Sequence, residues 1–274
     1  MQPRSFTRSG ALLTAAVFAL SACESSTTPN ANAAVRFSSP AVPGQSTTTT
    51  AGGSPGLSIA GTNGTLVITD IKLVVDEFEL KLVSSNSGLD CEELDDTPSD
   101  DDDCSEFESR LFVADVPLGT GTVTVASDRI PAGTYDEMEF EVKDLFVDSN
   151  DDDDVARAAR IAEVLATLRQ TYTDWPTGAS MVVVGTFTPT GGVAQPFRVY
   201  FDADLEVETV LSPPLVIDGS SSGVTVELRP DLWFKRGDGS VINLALFNYA
   251  TTSTLAQLEV EFENGFDVEI DNDD

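Results

Sequence analysis

The sequence contains no histidine, and this absence removes more chemistry than any single residue adds. Ser-His-Asp and Cys-His nucleophile systems cannot be assembled, and neither can zinc sites that rely on imidazole. Cysteine is scarce as well, with three in 274 residues, too few soft ligands for a thiolate metal centre. Positive charge is the third shortage: 15 basic residues stand against 46 acidic ones, for a formal net charge of −31. Such a chain repels nucleic-acid backbones and anionic lipid headgroups, and it favours cations and cationic partners. High charge often accompanies disorder, but 41% hydrophobic residues in alternating runs predict a folded domain with an acidic surface.

A membrane-spanning run is missing at the N-terminus, where the apolar stretch from Ala11 to Leu20 covers only ten residues. Crossing about 30 Å of hydrocarbon as a helix takes about 20. Arg4 and Arg8 precede this stretch, and the small residues Ser21 and Ala22 close it before Cys23, which is the plan of a cleaved export signal. The tetrad Leu20-Ser21-Ala22-Cys23 resembles the lipobox of bacterial lipoproteins, whose cysteine receives a diacylglyceryl group and becomes the mature N-terminus. The resemblance implies a signal peptide over 1–22, lipidation at Cys23, and a chain anchored at the cell envelope, in the outer membrane or at the cell surface. The alternative is an ordinary secretory signal with an incidental cysteine. With Cys23 lipidated, Cys91 and Cys104 form an even pair in an oxidising compartment and are expected to make a disulfide.

From Cys23 to Gly56 the composition is that of a flexible tether, rich in Ser, Thr, Asn, Ala, Pro and Gly; Arg36 and Phe37 alone break the pattern. The span 57–274 is read as one acidic domain, because the dominant period from Leu57 onward is two. Met138, Phe140 and Val142 alternate with Glu137, Glu139, Glu141 and Lys143; Phe197, Val199, Phe201, Leu205 and Val207 alternate with polar groups. Further strands are expected at 66–75, 77–83, 123–126, 182–187, 224–228, 241–247 and 258–270. The apolar parity changes between Ile71, Leu73, Val75 and Phe78, Leu80, Leu82, which implies a bulge or break near Asp76. A single helix is expected over 155–170, with an apolar stripe of Val155, Ala158, Ala159, Ala162, Leu165 and Leu168 and with Arg157, Arg160 and Arg169 outside it. The expected fold is all-β: an antiparallel two-sheet β-sandwich with one inserted α-helix, after the signal peptide and a disordered tether.

The run Ile130-Pro131-Ala132-Gly133-Thr134-Tyr135 with its following strand resembles the Pro-Ala-Gly-x-Tyr turn of a bacterial lipoprotein domain family of unknown function. Phe201-Asp202-Ala203-Asp204 and Leu228-Arg229-Pro230 are similar to that family's closing half. The resemblance spans about Leu57 to Asp231 and implies a prealbumin-like or immunoglobulin-like sandwich, with no catalytic residue carried over. The acidic loops and the C-terminal strands depart from it.

Two acidic runs are the candidate chemistry. The first includes Asp100, Asp101, Asp102 and Asp103; the second is Asp148-Ser149-Asn150-Asp151-Asp152-Asp153-Asp154. Asp148, Asn150 and Asp152 have the alternate spacing with which an EF-hand loop begins, but Asp153 stands where that loop needs glycine and Ala159 where it needs glutamate. Solvated anionic loops and an acidic helix N-cap are the preferred reading of these runs; the alternative is a looser oxygen site for calcium, drawing on these residues and Asp154. Arg236-Gly237-Asp238 spells a cell-adhesion tripeptide, which ordinary hairpin-turn chemistry explains. Tyr172, Trp175, Tyr200, Trp233 and Tyr249 could stack on sugars, and a sandwich core also wants aromatics, the reading preferred here. At the C-terminus a three-residue loop of Glu263-Asn264-Gly265, with Gly265 left-handed, would pair Phe262 with Phe266 and set Glu261 opposite Asp267.

The sequence therefore supports a membrane-anchored, non-enzymatic binding or adhesion module, with a protein, glycan or cation as ligand, calcium among them, and no nucleic acid. A structural or assembly component of the envelope is the alternative, and a glycosidase working through two carboxylates is the third reading.

Overall fold

In a computed structural model the chain is described over residues 34–39, 45–49, 55–83, 106–109, 111–119, 121–127, 130, 132–145, 154–218, 222–257 and 265–272. These residues form an all-β two-sheet sandwich with three short or single helices. The smaller sheet has four strands in the order β14 (Phe266–Asn272), β12 (Ser222–Leu228), β1 (Ala34–Ser38), β7 (Thr122–Ser127). The larger has ten, along the path β11 (Leu205–Ile217), β8 (Gly133–Val142), β4 (Gly64–Leu82), β9 (Met181–Pro189), β10 (Gln195–Asp202), β13 (Ala256–Gln257). The other edge of β4 carries β3 (Pro55–Gly61), β6 (Phe112–Asp115) and β5 (Glu106–Glu108), and β2 (Gln45–Thr49) pairs with β3. Pairing is antiparallel except for β1 with β12 and β10 with β13, which are parallel.

The 19-residue strand β4 organises the large sheet. Its register against β8 shifts between Val75 and Glu77, so the bulge expected from the parity change falls at Asp76. The extra residue lets one strand keep Ile71, Leu73 and Val75 before the bulge and Phe78 and Leu80 after it in the core. The expected run from Phe197 to Val207 is instead two strands, β10 and β11, parted at Ala203. The fully buried Ser180 stitches that break, its hydroxyl accepting from the Ala203 amide at 2.7 Å and donating to the Phe201 carbonyl at 3.2 Å.

The expected tether is corrected over two stretches. Residues 34–38 form β1, sandwiched between β12 and β7, with Val35 and Phe37 fully buried; residues 45–49 form β2. Two large apolar side chains at alternate positions are enough to bury one strand face, and Arg36 between them points away. The strand expected at 241–247 is corrected as well. Val241 makes a lone bridge to Lys235, and Leu244–Phe247 is a 3-10 turn whose start is capped by the Asn243 side chain accepting from the Ala245 amide at 3.1 Å. A side chain that satisfies the backbone locally competes with a ladder.

Helix α1 (Asp154–Thr171) occupies the predicted span, but its buried stripe is Ile161, Val164 and Leu168, continued by Tyr172, while Ala159 and Ala162 are exposed. Alanine buries too little apolar area to orient a helix against Ile, Val and Leu. The stripe packs on the outside of the large sheet over Val74, Val182 and Tyr200, apart from the core between the sheets. Two shorter helices, α2 (Pro230–Trp233) and α3 (Tyr249–Thr252), follow later in the chain, and α2 places Trp233 in the main core.

At the C-terminus β14 pairs with β12, Val268 opposite Val226 and Asp267 opposite Glu227. Residues 258–264, the other half of the expected hairpin, lie outside the described residues. Gly265 has a steric requirement for glycine, because a Cβ there would overlap the indole nitrogen of Trp233. No helix among the described residues is long and apolar enough to cross a membrane.

Candidate functional site

The sequence-predicted positions are mostly outside the described residues: Cys23, Cys91, Cys104, Asp100, Asp101, Asp102, Asp103, Asp148, Asn150 and Asp152 all fall there. Asp154 opens α1. Among the described residues no group of three or more acidic or cysteine side chains is arranged to hold a metal ion.

The structure instead assembles a charged face that individual strands do not reveal. On β8 the residues facing away from the core are Glu137, Glu139 and Glu141; on β4 they are Glu77, Glu79 and Lys81; on β11 they are Glu206 and Glu208. The registers align them into rows. Glu77, Glu141 and Glu206 lie across one, Glu79, Glu139 and Glu208 across the next, and Lys81 stands opposite Glu137 in a third. Directly opposed carboxylates on neighbouring strands each cost about 0.2–1 kcal/mol, and this face contains four such juxtapositions.

Partial compensation is built in. Lys81 Nζ lies 2.7 Å from Glu137 and 2.9 Å from Glu139, and Lys143 pairs with Glu141. The hydrogen bonds that the Lys81 ammonium donates to the two glutamates raise its pKa well above the ordinary lysine range. For Glu141 the balance goes the other way. Burial raises its pKa above the usual carboxylate range, the nearby charges of Glu77 and Asp76 add to the rise, and Lys143 offsets only part of it. Asp144, where the strand runs out toward the second acidic run, is also raised, first by burial and then by Asp202 and Asp204. Glu206 and Glu208 are exposed at the open side.

A carboxyl whose folded pKa is raised binds protons more readily in the folded than in the unfolded chain, so its contribution to stability falls as pH rises through the folded value. Replacing Glu141 by glutamine, which keeps an acceptor for Lys143, is therefore expected to raise the melting temperature at pH 7. The gain should shrink toward zero as the wild type is acidified and Glu141 protonates. A melt of the two proteins across pH 4 to 7 checks this, and a pH-independent difference would contradict it.

At the border of this face the bulge residue Asp76 meets α1. Arg157 donates from both terminal nitrogens to the two Asp76 oxygens, at 2.5 and 2.9 Å. Sequence periodicity placed Arg157 outside the buried stripe, yet it ties helix to sheet. Under the last turn of α1, Tyr172 donates to Asp70, while Tyr200 and Arg198 donate to Asp174 at 2.9 and 2.5 Å. Trp175, Tyr200 and Tyr249 pack edge-on in the same cluster, with ring centroids 5.3 and 5.0 Å apart. These aromatics are core, as is Trp233: Tyr172, Trp175, Tyr200 and Trp233 are all buried, and burial raises the two tyrosine hydroxyls' pKa values.

In comparisons with known proteins no family model, no curated protein and no solved structure matches this chain.

Proposed function

We propose that this chain is an exported lipoprotein, anchored through Cys23, whose acidic sandwich is a binding or adhesion module at the cell envelope. Its ligand is cationic, a basic protein segment or calcium. The observation that carries the reading is the pair of glutamate rows across β4, β8 and β11, which end on the exposed Glu206 and Glu208 of the outer strand β11. A face that retains opposed carboxylates at a cost in stability has surplus negative potential to offer a partner.

Two features weigh against the alternatives. Assembly through sheet edges wants a long regular edge strand, but β11 is interrupted at Ser212, Pro213 and Pro214, where its pairing with β8 lapses between Val210 and Leu215. A two-carboxylate hydrolase wants an acid and a base in distinct environments. Here Glu137 and Glu139 share one lysine on the outside of a sheet.

Protein extracted from membranes tests the anchor and the calcium reading together. Mass spectrometry is expected to find a diacylglyceryl group on Cys23 and no residue before it. The same material should melt higher in millimolar calcium than in sodium chloride of equal ionic strength. An unlipidated N-terminus beyond Cys23 would remove the anchor; equal melts in the two salts would remove calcium as the ligand.

A further inference from the structure

The loop Arg236 to Gly239 presents a cation and an anion on a braced tip. Lys235 and Val241 form its closing bridge, the Gly239 amide donates to the Arg236 carbonyl at 2.9 Å, and the Arg236 amide donates to the Ser240 carbonyl at 2.8 Å. Gly239 is left-handed at φ +80°, so this is a turn centred on Gly237 and Asp238 and closed by a left-handed glycine. Its base is bolted to the β3–β4 turn. Thr62 donates to the Gly239 carbonyl at 3.0 Å, and the Asn63 side chain both donates to and accepts from the backbone of Val241, at 2.8 and 2.9 Å.

Turn chemistry accounts for half of the tripeptide. Asp238 Oδ1 accepts from the Ser240 amide at 2.8 Å, a common role for aspartate in a tight turn, and Gly239 supplies the left-handed residue. Arg236 and Gly237 remain. Gly237 does not have a positive φ, and a Cβ on it would meet no atom within 4 Å. Neither backbone conformation nor space requires glycine there, and alanine would stabilise the folded chain by restricting the unfolded one. Arg236, Gly237 and Asp238 are all exposed, and among the described residues neither charged group is in an ion pair. By contrast Lys72, Lys81, Lys143, Arg157, Arg198 and Arg229 are all paired with carboxylates. Hydrogen bonds from Ser240 hold the Asp238 carboxyl below its usual range, so it is ionised.

We propose that this tip is an adhesion site, read by a receptor that pairs the Arg236 guanidinium with carboxylates and takes the Asp238 carboxylate onto a bound divalent cation. Guanidinium favours bidentate pairing with a carboxylate, and an aspartate oxygen is a hard ligand suited to such a cation. A bare glycine between them lets the receptor's surface approach the backbone, and the braced base lowers the ordering cost of binding. The proposal rests on the chain being exported, and it involves a different surface from the glutamate rows.

The test is a solid-phase assay of the full chain in detergent against an immobilised integrin ectodomain of the Arg-Gly-Asp-binding class, in manganese and in EDTA. Binding is expected in manganese only and should be displaced by a free Arg-Gly-Asp peptide. Asp238→Asn, which keeps the acceptor for Ser240 and removes the charge, should weaken binding at least about tenfold, and so should Gly237→Ala. Asp238→Asn should melt like the wild type and Gly237→Ala slightly above it, so a loss of binding cannot come from unfolding, and Glu206→Gln/Glu208→Gln should bind like the wild type. Absence of wild-type binding, binding that survives EDTA, or equal binding by the two tip variants would overturn the proposal. None of those results would touch the reading of the acidic face.

Discussion

Replacing Phe37 by alanine is expected to destabilise the domain by about 3–5 kcal/mol, the range for truncating a fully buried phenylalanine. Phe37 lies opposite Val226 on one side and Val123 on the other, and its ring meets Phe140 across the core with centroids 5.9 Å apart. At roughly 2–4 °C per kcal/mol for a domain of this size, the melting temperature should drop by about 10 °C. Thermal denaturation followed by circular dichroism measures it. An unchanged melt would mean that residues 34–38 are tether after all.

The second large effect is expected at Arg157. The side chain of Asp76 is 7% exposed, so truncating Arg157 to alanine leaves a buried carboxylate without its bidentate partner. Breaking a fully buried pair costs about 3–5 kcal/mol, and because Arg157 is itself 38% exposed we expect a smaller loss of about 2 kcal/mol. Asp76→Asn combined with Arg157→Met should lose less than Arg157→Ala alone, because no uncompensated charge then remains. Urea denaturation of Arg157→Ala measures the loss, and that of Asp76→Asn, Arg157→Met and the double variant measures the coupling. Losses that simply add would show that Asp76 and Arg157 do not interact energetically.

How much of this was legible in the sequence follows from the range of each interaction. Period-two runs are local, so β8, β9, β12 and most of β4 could be placed from alternation alone, and the parity change around Asp76 located the bulge. The helix span was equally local. Its orientation was not, because the alanines of α1 fit the period of an apolar stripe but contribute little burial, and the true stripe through Ile161, Val164 and Leu168 is set by what the sheet presents. Strand β1 was hidden because its parallel partner, β12, lies far away in the chain, and two buried side chains in a polar stretch give no periodic signal. The glutamates of β4, β8 and β11 were visible one strand at a time. That they stand opposite one another depends on pairing register, which single-strand alternation does not contain.

The surplus charge of those rows is the centre of the functional reading, and it can be measured directly. The full chain is titrated with a lysine tetrapeptide at low ionic strength, beside Glu206→Gln/Glu208→Gln and a control, Glu163→Gln/Asp218→Asn, that removes the same charge elsewhere. Both pairs are exposed, and thermal melts of the two variants establish that each keeps the fold before affinities are compared. If the rows form the binding face, the first variant loses about tenfold in affinity, equivalent to about 1.4 kcal/mol, while the control loses less than about twofold, and added salt narrows the gap. Equal losses in the two variants would contradict the account, because the peptide would then be responding to net charge and not to the rows of β4, β8 and β11.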